Sequence, residues 1–126
     1  VFVGSVTGFV AEYGSAHYTA AKSASHSLAR SIAIELGQSG VTANVVASGF
    51  VKTPMTAKLH EHENQEMAQG VMSRINPLGR PGEPSEIANV IRYLIVDAPT
   101  YLTGSIITVD GAQVVQGVVK RAAAGY

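Results

Sequence analysis

The chain has 126 residues, 46 % apolar and 14 % charged, a size that suits one domain and a composition that excludes an intrinsically disordered chain. Nine Lys and Arg balance nine Asp and Glu, so no net charge points to nucleic acid or an anionic membrane, and no apolar run approaches the roughly 18 residues of a membrane span. With no cysteine there is no disulfide framework, thiol nucleophile or thiolate metal site, which fits a reducing compartment.

Residues 1–3 are a short apolar run ending at Gly4 and Ser5, the pattern of a buried strand feeding a loop. The run starts on Val1 with no basic arm or signal segment, so the chain is expected to begin within a fold. Residues 6–15, with Gly8 and Gly14, read as irregular. Residues 16–36 are rich in Ala and free of Gly and Pro, which predicts a helix. Ala21, Ala24, Leu28 and Ile32 form its expected apolar face, and Gly37 is placed as its C-cap. Residues 41–47 (VTANVVA) predict a second strand, closed by Ser48 and Gly49.

Residues 50–82 are the least regular part, with a polar helical stretch at 55–68 between Pro and Gly breakers. Pro84 suits the first position of a helix and Glu86 its first turn. Ile87, Val90, Ile91, Leu94 and Ile95 supply an apolar face to about residue 96. Residues 105–110 (SIITVD) predict a third strand, and 111–126 a tail. This order gives an α/β fold: three strands in a parallel sheet with flanking helices, joined by two right-handed crossovers.

Tyr18 and Lys22 stand four apart at the start of the first helix and so share a face. A phenol is a poor base at neutral pH, and a neighbouring ammonium stabilises its anion. A general acid/base working on an alcohol or ketone needs that help. Ser5 ends the first strand at the edge where open α/β sheets bind ligands. The Tyr-x-x-x-Lys spacing alone is weak, because most such helix pairs are solvated neighbours.

Further residues accompany it: Asn44 to Gly49 (NVVASG) and Thr53, Pro77 to Pro84 (PLGRPGEP), Glu86-Ile87-Ala88, Tyr101 to Gly104 (YLTG) and Val109-Asp110-Gly111. In this order and spacing, residues 1–112 resemble the C-terminal half of the short-chain dehydrogenase/reductase family, above all its 3-oxoacyl-carrier-protein reductases. The resemblance implies a Rossmann-like sheet. It assigns Tyr18 as proton donor and acceptor, Lys22 as the holder of the nicotinamide ribose that also stabilises the Tyr18 phenolate, and Ser5 as the hydrogen-bond partner of the substrate oxygen. Gly49, Val51 and Thr53 match the loop that meets the nicotinamide carboxamide.

Two positions depart from the family pattern. Ser48 replaces the usual Pro, so the turn loses a fixed φ, and Ala112 replaces a common second Gly. Neither is expected to abolish activity. His60-Glu61-His62-Glu63 could be read as metal ligands, but on a helix alternate residues point about 200° apart and do not converge. They read as the polar face of a mobile lid, and no metal is expected. His17 and His26 flank Tyr18 on the helix, and His17 reads as a helix-surface histidine rather than a part of the site. For the small-residue stripe Ser23, Ser27 and Ser31, the resemblance implies a close helix contact between subunits.

The Gly-rich dinucleotide turn, the residue that separates NAD from NADP, and the family's tetrad Asn are not among the 126 residues. The resemblance therefore implies that residues 1–126 are the C-terminal catalytic half of one NAD(P)-binding domain, with 50–82 as substrate lid. The expected activity is hydride transfer between NADP or NAD and a carbonyl or secondary alcohol, a 3-oxoacyl thioester among the candidates. The enzyme is expected to be a cytoplasmic homo-oligomer, dimer or tetramer, with a small-molecule substrate and neither nucleic-acid nor membrane partner. Alone, the 126 residues are expected to be inactive, to self-associate and to bind nucleotide weakly. The alternatives are a truncated non-enzymatic module acting only in subunit association, and a family member that dehydrates or epimerises.

Overall fold

The computed structural model describes residues 1–57 and 65–116. Strands β1 (Phe2–Ser5), β2 (Val45–Ser48) and β3 (Ile106–Val109) form one parallel sheet in the order β1-β2-β3. Ser5 pairs with Ser48, and Ser48 with Val109, so the three strands end level at one edge. The helices are α1 (Ala16–Leu36), α2 (Gln65–Ile75) and α3 (Pro84–Val96). Val45, Val46 and Ala47 of the central strand are all 0 % exposed, as befits an apolar strand covered on both faces.

The two long helices lie on opposite faces. A Cβ at Gly4 would stand 2.5 Å from both His26 Nε2 of α1 and Val45 Cγ1, so α1 covers the face that carries Gly4 and Val45. Val46, the next residue along β2, points the other way and packs with Ile87 and Leu94 of α3. The strands step across the sheet in one direction, so connections over opposite faces have opposite hands. The expectation of two right-handed crossovers therefore holds for only one of them.

The strands are also displaced from their sequence boundaries. β1 runs over Phe2–Ser5 rather than 1–3, and β2 over Val45–Ser48 rather than 41–47. The physical reason for the second shift lies at Ala43 and Asn44. Ala43 N–H donates to Thr103 Oγ1 at 3.0 Å, and Asn44 Nδ2 donates to the Leu102 carbonyl at 2.8 Å. Asn44 Oδ1 accepts from Ser105 N–H at 3.0 Å. These residues hold the loop before β3 rather than extending the ladder. β3 is likewise shorter than 105–110, and residues 111–115 form turns.

Helix α1 has the expected bounds but a different buried face. Its buried residues are His26, Ala29 and Ala33, while Ala21, Ala24 and Leu28 are exposed and Ile32 is half-buried. Small side chains let the helix lie close to β1, and size rather than hydrophobicity sets the phase. Gly37 is the C-cap of α1, as expected. It stays right-handed at φ −57 and opens a 3-10 turn, and Gly40, at φ 78, makes the left-handed exit. Of the helix expected at 55–68, residues 58–64 lie outside the described residues; the stretch opens on a 3-10 turn at Pro54–Thr56, and 65–68 belong to α2. Helix α3 starts on Pro84 as expected, although Ile95 is exposed. Among the described residues no helix is long and apolar enough to cross a membrane.

Candidate active site

Ser5 is the last residue of β1 and only 7 % exposed. Its side chain caps the 3-10 turn Val6–Gly8: Oγ accepts from Thr7 N–H at 3.2 Å and from the Thr7 hydroxyl at 2.9 Å. Those two bonds use both lone pairs of the serine oxygen, so what Ser5 retains for a ligand is its own hydrogen. Thr7 thus fixes Ser5 as a donor. Sequence reasoning missed Thr7. The available signal was a hydroxyl two residues past Ser5, the spacing of a local side-chain turn.

Tyr18 and Lys22 lie on the first turns of α1, beside β1. The Lys22 ammonium sits 5.5 Å from the Tyr18 ring centroid, within cation–π range. It also donates to the Val3 carbonyl at 3.0 Å, two residues before Ser5. An ammonium has three donors, so this anchor leaves N–H groups for a ligand. Tyr18 is 37 % exposed, open enough to reach a substrate.

Gly49, Val51 and Thr53 follow β2 at the same edge. Gly49 N–H donates to the Val109 carbonyl at 3.0 Å, and a Cβ on Gly49 would stand 2.7 Å from Asp110 Cα. No side chain fits there. Val51 bridges to Gly82, and its carbonyl accepts from Thr56 Oγ1 at 2.6 Å. Thr53 N–H donates to the same Thr56 oxygen at 3.0 Å. Ser48, standing where a proline would lock the turn, is itself laddered to Ser5 and Val109.

The end of the 50–82 segment is tied to α3. Arg80 grips Glu86 with two hydrogen bonds of 2.8 Å each, and Glu83 N–H donates to the same carboxylate at 2.7 Å. The Arg80 guanidinium, with the Glu83 N–H, holds the Glu86 carboxyl at about 2. A cavity of about 280 Å³ lies between this segment and the end of β3, lined by Asn76, Leu78, Arg80, Thr108 and Asp110 among others. Ser5, Tyr18 and Lys22 do not line it.

The remaining candidates fall differently. His17 is exposed, as expected, while His26 is buried at 3 %. Ser23 turns inward, its hydroxyl donating to the Gly8 carbonyl at 3.1 Å, while Ser27 and Ser31 are exposed. The serine stripe is therefore not one uniform surface. His60, Glu61, His62 and Glu63 lie outside the described residues. Ala112, where a glycine is common, has φ 68, a conformation that explains a preference for glycine.

The structure thus brings a phenol with an ammonium over its ring, and a serine hydroxyl left with its proton, to neighbouring elements of one sheet edge. Residues 1–112 match the family model described as enoyl-(acyl carrier protein) reductase. Over 111 residues the chain is 41 % identical to the 3-oxoacyl-acyl-carrier-protein reductase MabA of Mycobacterium tuberculosis, covering 88 % of this chain and 43 % of that protein. A short-chain type dehydrogenase/reductase from Mycobacterium ulcerans superposes with TM-score 0.80 at 31 % identity, over 90 % of this chain and 40 % of its own. A 4-hydroxyisoleucine dehydrogenase complexed with NADH superposes with TM-score 0.83 at 28 % identity, over 91 % of this chain and 46 % of its own. The chain spans less than half the length of each of these relatives.

Proposed function

The chain belongs to the short-chain dehydrogenase/reductase family, and from that premise we propose that it carries the catalytic residues of an NAD(P)-dependent oxidoreductase acting on a carbonyl or secondary alcohol. The observation that carries this reading is the Lys22 ammonium 5.5 Å from the Tyr18 ring centroid, on a helix anchored two residues before Ser5. In the reducing direction Tyr18 gives its phenolic proton to the substrate oxygen. Ser5 donates its remaining hydrogen to the same oxygen and orients it. The charge left on the phenolate is stabilised by the Lys22 ammonium. A nicotinamide, when bound, supplies the hydride to the carbon.

The donor set at this edge fits the nicotinamide end of such a cofactor. Lys22 retains N–H donors for ribose hydroxyls, and the loop at Gly49, Val51 and Thr53 is held in one shape by its own hydrogen bonds. The phosphates need a Gly-rich turn that these 126 residues do not contain. We accordingly read residues 1–126 as the C-terminal catalytic half of one dinucleotide-binding domain and 50–82 as its substrate lid. The likeness to acyl-carrier-protein reductases favours a 3-oxoacyl thioester as substrate. A cytoplasmic homo-oligomer is part of the same reading.

The test is turnover by the full-length protein with NADH and with NADPH, against a 3-oxoacyl thioester and a panel of simple ketones. Nicotinamide oxidation that depends on the ketone is the expected result. Failure to bind either nucleotide or turn over any carbonyl would favour a non-enzymatic module acting in subunit association.

A further inference from the structure

His26 sits one turn beyond Lys22 on the face of α1 that meets β1. It is 3 % exposed, and neither Nδ1 nor Nε2 has a hydrogen-bond partner among the described residues. Glycines on two neighbouring segments make room for the ring. A Cβ at Gly4 would stand 2.5 Å from Nε2, and one at Gly8 would stand 2.3 Å from Cε1. Phe9 closes the third side, its ring centroid 5.0 Å from the imidazole. Gly4 immediately precedes Ser5, and Gly8 ends the turn that Ser5 caps and accepts the Ser23 hydroxyl bond. The imidazole is therefore the packing element directly behind the serine.

We propose that His26 is a positioning residue of this site and its acid-sensitive element: the neutral imidazole, wedged against Gly4 and Gly8, holds Ser5 and Lys22 in register, and its protonation opens that seam. The inference rests on the oxidoreductase reading for its effect on activity, but not for its effect on structure. A charged imidazole is a double donor, and neither nitrogen meets an acceptor among the described residues. Among those residues the charged groups that face it are both cationic, Lys22 and Arg30, on its own helix. β1, the Val6–Gly8 turn, Phe9 and β2 bring no titratable side chain. Burial first, then Arg30 and Lys22, lower its pKa from the ordinary 6.5. The sign follows from linkage. The folded state binds the proton less readily than the unfolded chain, so stability is full above 6.5 and is lost as the pH falls below it.

The experiment uses the full-length protein and two readouts. The first is the melting temperature between about pH 7.5 and pH 5, the range of histidine titration, with the histidine ring resonances followed by NMR. His26 is expected to stay neutral below the ordinary histidine value of 6.5, and the melting temperature to fall as it protonates. A His26 that titrates at or above 6.5, or a melting temperature unchanged across its titration, would overturn the proposal. The second is kcat/KM for ketone reduction over the same range. The wild type should lose about tenfold per pH unit on an acid limb, and a folded His26→Leu variant, slower at neutral pH, should lack that limb. A limb that persists in the variant overturns the proposal. Should His26→Leu not fold, the wild-type melting and NMR series decides. If the protein reduces no ketone at any pH, the oxidoreductase reading fails, while melting and NMR still judge His26.

Discussion

Asn44 illustrates how one side chain joins segments far apart in the chain. Buried at 3 %, it donates to Leu102 and accepts from Ser105 while its own carbonyl accepts from Phe2. Replacing it with Ala would leave the part-buried Leu102 carbonyl and Ser105 N–H without these partners. We expect Asn44→Ala to destabilise the full-length protein by about 1–3 kcal/mol, read from chemical denaturation. Ala112 is the opposite case, a residue under strain. Its φ of 68 disfavours a Cβ by about 1–2 kcal/mol, and the extra freedom of glycine in the unfolded chain offsets part of that. Ala112→Gly should therefore raise stability by about 0.5–1 kcal/mol, again read from denaturation midpoints. At this scale the meeting of Tyr18 and Lys22 on one helix face was legible from their four-residue spacing. Thr7 and His26 were not. A threonine two residues past a serine is common, and the burial of His26 depends on glycines far from it in the chain.

Among the elements, the segment after β2 shows how the fold shapes the loop proposed to meet the nicotinamide. Gly49 lies against Asp110 closely enough that a methyl group would stand 2.7 Å from its Cα. Gly49→Ala should cost about 1–3 kcal/mol through overpacking. It should also raise the KM for the nicotinamide cofactor, because the strain falls on the strand end that leads to Val51 and Thr53. A variant with wild-type stability and cofactor KM would show that the chain yields there freely. The elements themselves were largely readable: α1 and α3 followed from composition, Pro84 and period. The phase of α1 was not, since an Ala- and Ser-rich helix carries little hydrophobic contrast between its faces. Nor was its left-handed exit, because Gly37 and Gly40 are equally plausible places for it until backbone angles separate them.

For the molecule as a whole, the parallel sheet could be read from the alternation of strand and helix, whereas the hand of each crossover could not. Nothing in the chain states on which face a helix will pack; only Gly4 against His26 and Val46 against Ile87 decide it. β1 is an edge strand among the described residues, with Val1 and Val3 exposed, and Leu28 and Ile34 of α1 are exposed as well. An open apolar edge recruits other strands, and apolar surface favours association. The 126 residues produced alone should therefore self-associate and bind NADH or NADPH weakly. Light scattering with titration calorimetry would detect this, and a monodisperse monomer binding either nucleotide at about micromolar affinity would contradict it. The central claim, that Tyr18 is the proton donor of a carbonyl-reducing site, is tested most directly by kcat of full-length Tyr18→Phe. Removing the hydroxyl while keeping the ring should lower ketone reduction by at least about 10²-fold with the fold intact. A folded variant that reduces the ketone at near wild-type rate would contradict it.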